Sequence, residues 1–330
     1  MRFEADVLPG LESVLLTEFP GGRVFGPGRI GFEAEKPAPL LYHRAALGIY
    51  AVLEFDVPRP KALLGQQHFD RLVKEARAIL ARHPRGSFRT LRLSAAGDDS
   101  PVMERLKAEL AKALGLSIDK EKTDDADFLL RLRPAGKSGW EALLSLTPRP
   151  LSTRRWRVCD MPGAMNATLA HAMALLTGPQ PTDAVLNLCC GSGTLLIERS
   201  FLSRAASLVG CDTNPAALDA ARANVEAAEL GEKIRLEDWD ATELPLPDAS
   251  VDVILADLPF GQRIGSHIGN VALYPAVFAE AARVAAPGAR LCVVTHELKL
   301  AERSLGPWRL TRCLQVAVGG MHPKVFVASC

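Results

Sequence analysis

Asn187-Leu188-Cys189-Cys190-Gly191-Ser192-Gly193-Thr194 is the stretch on which the fold turns. The short apolar run 184–188 before it reads as a strand, and 194–203 after it as a helix. Glycines at such a strand-to-helix turn let the backbone tighten and approach a ligand. A Gly-x-Gly pair alone occurs in many folds, so its surroundings decide what it means.

Outward from that turn, strands and helices alternate. A helix over 166–177, closed by Gly178-Pro179, comes first. Strands follow at 207–211, 234–237, 251–256 and 290–295, with helices at 216–228 and 274–285 and late strands near 312–318 and 325–328. That order implies a mainly parallel α/β sheet of Rossmann-like type, covered on both faces.

The strand ends carry acids. Gly210-Cys211-Asp212 ends the second strand, where a carboxylate accepts both hydroxyls of a ribose. Asp238-Trp239-Asp240-Ala241 follows the third, with Asp240 placed for an adenine amine. A dinucleotide site would want a third glycine where Leu196 stands, and this bulky residue should hinder the helix's approach to the strand. The series fits S-adenosylmethionine better than a dinucleotide. A dehydrogenase or other nucleotide binder, and a non-enzymatic fold, are the weaker readings. Candidate cofactor contacts are Asn166, Thr168, Asn187, Cys189, Gly191, Ser192, Gly193, Thr194, Asp212, Thr213, Asp240, Ala241 and Asp257.

A fourth strand end is Asp257-Leu258-Pro259-Phe260-Gly261. Its carboxylate can accept one N–H of an exocyclic amine. The Leu258 carbonyl, extended before proline, can accept the other, and Phe260 can stack on a base. A proline turn with a core phenylalanine explains the same five residues more plainly. Asp257, Leu258, Pro259 and Phe260 are the catalytic candidates.

Composition is that of an ordinary globular protein, with 48% hydrophobic and 23% charged residues. No apolar run approaches the roughly 20 residues that span a bilayer. The N-terminus lacks a signal-peptide pattern, so the expected location is the cytoplasm. Seven cysteines without a Cys-x-x-Cys argue against a disulfide framework or a zinc site, and no metal is expected. The net charge of +1 hides an asymmetry: residues 1–157 hold 26 Lys/Arg against 20 Asp/Glu, and 158–330 hold 13 against 18. A basic first half suits a polyanion, although solvated helix faces would look the same.

Proline-rich turns near 57–60 and 147–165 suggest borders, giving units at 1–57, 58–147 and 166–330 with a linker over 148–165. Between the borders, a helix at 69–81, a basic strand at 87–93, a helix at 103–114 and strands at 128–132 and 140–146 follow in order. This order resembles the THUMP domain of RNA-modifying enzymes, and 1–57 resembles the ferredoxin-like domain that often precedes it. Together with Leu151-Ser152-Thr153-Arg154-Arg155-Trp156-Arg157, the first glycine loop, the Asp-Leu-Pro-Phe-Gly stretch, and Arg263-Ile264-Gly265-Ser266 with Asn270 and Tyr274, the chain resembles the THUMP-containing tRNA guanine-N2 methyltransferases acting at acceptor-stem position 6.

The resemblance implies S-adenosyl-L-methionine as cofactor and tRNA as partner, held by its acceptor stem and 3′ end, with a monomeric enzyme. It nominates Arg85, Arg89, Arg92, Lys137, Arg154, Arg155 and Arg157 for RNA contacts; the last three equally suit a solvated linker. His267 and Asn270 stand as pocket candidates, and Lys324, after Gly319-Gly320, is either a substrate contact or part of a hairpin. One departure is Asn187, where the family has aspartate. Its carbonyl oxygen still accepts, without charge assistance. Methylation of tRNA position 10, of ribosomal RNA, or a non-catalytic RNA-binding module are the alternatives.

Overall fold

The structure, a computed structural model, describes residues 1–119, 127–136, 139–259 and 267–330, with backbone alone at His267. Two compact units divide the chain: Met1–Val7 with Glu18–Leu151, and Leu8–Thr17 with Ser152–Cys330. Residues 8–17 carry α1 (Glu12–Leu15) and bury Leu11 and Leu15 completely.

The first unit is built on one eight-stranded sheet. Its strands are β1 (Arg2–Asp6), β2 (Arg23–Gly26), β3 (Arg29–Glu33), β4 (Gly48–Phe55), β5 (Thr90–Ser94), β6 (Ser117–Ile118), β7 (Phe128–Pro134) and β8 (Trp140–Ser145), in the order β2-β3-β1-β4-β8-β7-β5-β6. β4 is buried along most of its length, so it needs a neighbour on each edge. It finds β1 on one side and β8 on the other. The strands on either side of the proline turn at 57–60, β4 and β5, therefore belong to one sheet. Among the described residues, this unit also holds two α-helices. α2 (Gln66–Leu80) buries Leu72, Val73, Ala76 and Ile79 as one stripe. α3 (Pro101–Leu114) starts on a proline in its first turn and ends at Gly115, whose φ of 70° suits glycine.

Part of the basic excess in this unit is neutralised across the sheet. Arg131 meets Asp6 at 2.7 Å and lies over the Tyr50 ring. Arg133 bridges Glu4 at 2.6 Å and Glu141 at 2.7 Å.

In the second unit α4 (Ala167–Leu176) leads into β9 (Ala184–Leu188), α5 (Thr194–Ser200), β10 (Ser207–Cys211), α6 (Pro215–Ala227), β11 (Ile234–Glu237) and β12 (Val251–Asp257). Then come α7 (His267–Val284), β13 (Ala285–Thr295), α8 (Leu298–Ser304), β14 (Arg309–Gln315) and β15 (Lys324–Ser329). The sheet order is β11-β10-β9-β12-β13-β15-β14, parallel except that β15 runs against both neighbours. Leu186, Leu188, Ile254, Tyr274, Phe278 and Leu291 form the centre of one core layer. Helix α7 starts earlier than the sequence suggested and takes Pro275 inside it. Helix α8 and the two-residue β6 were not anticipated.

Two features of this unit follow from single residues. Leu196, expected to hold α5 away from the sheet, is accommodated because β10 has glycine beside it: a Cβ on Gly210 would sit 2.7 Å from Leu196 Cδ1. Asp183, ahead of β9, is buried and bridges the fully buried Arg199 at 3.0 Å to Arg290 on β13. The N-terminal segment joins the same unit: the Ala317 amide donates to the Pro9 carbonyl at 3.0 Å, and a side chain on Gly10 would collide with the Gln315 carbonyl.

Candidate active site

Strand order reverses between β9 and β12, and open α/β sheets take ligands at the carboxyl ends of strands at such a switch point. A cavity of about 340 Å³ opens there. Residues following β9, β10, β11 and β12 all reach it.

After β9 the backbone turns sharply, with φ of 49° at Cys189, 52° at Gly191 and 79° at Gly193. A left-handed cysteine is uncommon and marks a position held by its surroundings. The Cys190 amide donates to the Cys211 carbonyl and the Gly191 amide to Asp212 Oδ2, both at 2.9 Å, which laces the turn to the end of β10. Burial, aided by the nearby Asp212 charge, pushes the Cys189 and Cys190 thiols up, so they stay protonated and are not nucleophiles. Asp212 Oδ1 accepts from the Asn214 amide at 3.0 Å. Asp240 Oδ1 accepts from the Thr242 amide at 2.8 Å and hydroxyl at 2.7 Å, which hold its carboxyl below the usual range.

Asp257 ends β12 inside the same cavity, and burial pushes its carboxyl up to about 7. Leu258 follows with a side chain 1% exposed and packed in the core, so what it presents to the cavity is backbone. Its amide donates to the Val294 carbonyl at 3.2 Å. The Pro259 carbonyl accepts from Asn270 Nδ2 at 2.8 Å and Tyr274 Oη at 2.7 Å.

A further wall, Met161 to Met165, comes from the stretch expected to be a linker. Asn224 on α6 ties it down. Its Oδ1 accepts from the Val158 and Cys159 amides at 2.9 Å, and its Nδ2 donates to the carbonyls of Cys159 and Ser192 at 2.9 and 3.1 Å. Arg157 adds bonds to the Met165 carbonyl at 2.6 Å and Thr194 Oγ1 at 2.9 Å.

Of the sequence candidates, Cys189, Gly191, Ser192, Thr194, Asp212, Thr213, Asp240, Ala241 and Asp257 line the cavity, with Leu258 and Pro259. Four do not. Asn166 caps α4, accepting from the Thr168 and Leu169 amides, and Thr168 is fully buried in that helix. Gly193 starts α5 in a left-handed turn facing Ala221. Asn187 is fully buried in the sheet and donates at 3.1 Å to the carbonyls of Leu188 and Leu255. Its Oδ1 has no partner among the described residues. Asn270 holds the Pro259 carbonyl rather than lining the cavity, and Lys324 pairs with Glu302 at 3.6 Å. Phe260, Gly261, Arg263, Ile264, Gly265, Ser266 and Lys137 lie outside the described residues, as does the His267 side chain.

The basic candidates separate. Arg85 and Arg89 are exposed and Arg92 half-buried in the first unit; Arg155 is exposed in the second. Arg154 is not a surface contact. It is buried, with Nε 2.8 Å from Oε1 of the fully buried Glu198. Arg157 is half-buried and bonded as described. Asn224, Trp239 and Met161–165 carry no site signal of their own in the sequence; an asparagine in mid-helix reads as a solvated position.

Known proteins resemble this chain. A tRNA (guanine(6)-N2)-methyltransferase of Thermus thermophilus is 32% identical over 99% of both chains. The crystal structure of TrmN from Thermus thermophilus superposes with a TM-score of 0.75, at 29% identity over 99% of both chains. The Bos taurus tRNA (guanine(6)-N(2))-methyltransferase THUMP3 is 34% identical over 50% of this chain, a stretch that spans 36% of that relative's length. Residues 154–324 match the family described as RMKL-like, methyltransferase domain. That span holds every strand end that reaches the cavity, and by it this chain belongs to the family of RMKL-like methyltransferase domains.

Proposed function

We propose that the chain transfers a methyl group from S-adenosylmethionine to the exocyclic N2 of a guanosine in tRNA, guanosine 6 of the acceptor stem, giving N2-methylguanosine in the cytoplasm. The observation that carries this reading is the presence of Asp257 and the Leu258 backbone in one cavity with Asp212 and Asp240. The full-length likeness to the Thermus enzyme supports the choice of guanosine 6.

The residues present fit the cofactor. Asp212 offers carboxylate oxygens to ribose hydroxyls, and Asp240 offers an acceptor to an adenine amine. Gly191 leaves open space where a Cβ would stand. Bound there, S-adenosylmethionine supplies an activated methyl group. The protein's part is alignment. Guanine N2 is a weak nucleophile because its lone pair is delocalised into the ring. Asp257 and the Leu258 carbonyl accept its two N–H groups, which raises electron density on nitrogen and stabilises the positive charge that develops there. Asp257 or water then takes the proton.

A guanine in a stem hides N2 in the minor groove, so the base must be extruded at a cost of about a few kcal/mol. Phe260 is the candidate stacking partner. Residues 1–147 serve as ferredoxin-like and THUMP parts that hold the 3′ end, with Arg85, Arg89, Arg92 and Arg155 toward phosphate; the enzyme acts as a monomer.

Tritium transfer from labelled S-adenosylmethionine into unmodified tRNA, followed by nucleoside analysis and fragment mapping, tests the reading. N2-methylguanosine at position 6 is the expected product. Label at position 10, or only in ribosomal RNA, would replace the substrate.

A further inference from the structure

Two neutral side chains converge on one backbone atom beside Asp257. Asn270, 1% exposed, and Tyr274, fully buried, both donate to the Pro259 carbonyl, at 2.8 and 2.7 Å. Behind them, Tyr274 Oη lies 2.6 Å from Thr295 Oγ1, which accepts from the Glu297 amide at 3.0 Å. A carbonyl only accepts, so the single phenolic hydrogen must go to Pro259. The Thr295 hydroxyl is therefore the donor to Tyr274. The chain runs one way, from the Glu297 amide through Thr295 and Tyr274 to the Pro259 carbonyl, and Asn270 fills the carbonyl's second lone pair.

The Asp257–Leu258 peptide is fixed as well, because the Leu258 amide donates to the Val294 carbonyl at 3.2 Å. Between these two anchors stands the Leu258 carbonyl. No described residue donates to it, and Leu258 reaches the cavity through its backbone. With the chain held on both sides of it, the orientation of the Leu258–Pro259 peptide, and with it that of the Leu258 carbonyl, is set by these bonds.

We propose that Asn270 and Tyr274 are positioning residues that aim the Leu258 carbonyl at the exocyclic amine of the target base, with Thr295 orienting the Tyr274 hydroxyl. This rests on the guanine-N2 reading above. Neither side chain touches the base. Each acts through the Pro259 carbonyl, and Asp257 accepts the other amine hydrogen independently.

The test compares two tRNAs, one with guanosine and one with inosine at position 6, bound to the whole protein in the presence of S-adenosylhomocysteine. Inosine lacks the N2 amine and keeps the rest of the base. Wild type is expected to prefer guanosine by about tenfold or more, since a site built to bond a donor rejects the analogue without it. Tyr274→Phe keeps the ring and should cut that preference by about 3–10-fold, the effect of one hydrogen bond weakened. Its affinities for S-adenosylhomocysteine and for the inosine tRNA should remain those of wild type. Turnover should fall in kcat while the KM for tRNA changes less. Thr295→Val offers a second variant with Tyr274 in place, and a smaller loss in the same direction is expected. An unchanged preference in both variants overturns the positioning role. A wild type that does not distinguish the two tRNAs overturns the guanine-N2 reading itself, and this inference with it.

Discussion

Asn224 and Cys159 exchange a reciprocal pair of hydrogen bonds: the Cys159 amide donates to Asn224 Oδ1, and Asn224 Nδ2 donates to the Cys159 carbonyl, both at 2.9 Å. Asn224 is fully buried and bonds the Ser192 carbonyl as well, so one side chain joins two walls of the cavity. Asn224→Ala strands several buried backbone groups, each worth about 1–3 kcal/mol. Lower thermal stability and at least about tenfold weaker S-adenosylmethionine binding by calorimetry are expected. Asn224→Asp should do no better, because its second oxygen would face two carbonyls. Wild-type cofactor affinity in either variant would remove Asn224 from the site.

Asp257 predicts a pH signature that separates the cofactor from its product. The free protein holds this carboxyl at about 7, above an unfolded value of about 3.9. The cofactor's sulfonium charge favours the carboxylate, so S-adenosylmethionine should bind more tightly as pH rises through about 7 and release a proton below it. S-adenosylhomocysteine, uncharged at sulfur, should show a much flatter profile. Calorimetry in buffers of different ionisation enthalpy reads this directly, and parallel profiles would refute it.

The same group bears on folding. An acid whose folded pKa is raised contributes stability below its unfolded pKa, and that contribution is lost as pH rises through the folded value. Stability from this site should therefore decline between about pH 4 and 7. Asp257→Asn should flatten that decline and be the more stable protein at pH 8 in urea unfolding, while losing turnover.

Arg154 and Arg155 are neighbours with opposite expected phenotypes. Arg154→Ala leaves Glu198 buried without its guanidinium partner and should cost about 3–5 kcal/mol of stability. Arg155→Ala, at an exposed position, should change stability by less than about 0.5 kcal/mol. If Arg155 meets phosphate, that variant should also lower the salt slope of tRNA binding by about 1. Equal stabilities for the two variants would contradict the buried pair.

Gly210 and Leu196 should behave as a matched pair. Gly210→Ala places a Cβ 2.7 Å from Leu196 Cδ1 and 3.2 Å from Cys190 Cβ, an overpacking expected to cost about 1–3 kcal/mol. Leu196→Ala alone leaves a cavity and costs about 2–5 kcal/mol. The double variant should be less destabilised than the sum, and strict additivity in denaturant unfolding would show that the two do not share the space.

The alternation of short apolar runs with helices made the second sheet legible, and 184–188, 207–211 and 234–237 fall where the strands stand. Strand-end acids were legible for the same reason, since a parallel sheet aims its carboxyl ends at one edge. Other features depend on partners distant in sequence. Nothing local marks Asn224 as a clamp, because its four bonds reach residues more than 30 positions away. Arg154 looked like a surface cation because its acid, Glu198, lies in another element. Asn187 was expected to face the cofactor, but its position in β9 commits its amide to neighbouring carbonyls. Pro275 hid the start of α7, as proline inside a helix usually reads as a boundary.

Residues 8–17 belong to the second unit although the first unit surrounds them in sequence. During synthesis they leave the ribosome early and must wait for strands β9 to β15, an interval on the order of tens of seconds at ordinary elongation rates. Until then Leu11 and Leu15 have no finished core to enter, and the methyltransferase sheet closes only when the first and last parts of the message are both translated. A gene cut near codon 151 would thus yield a catalytic half missing a piece of its own interior. Joining two coding segments end to end would not by itself place residues 8–17 in the same unit as 152–330.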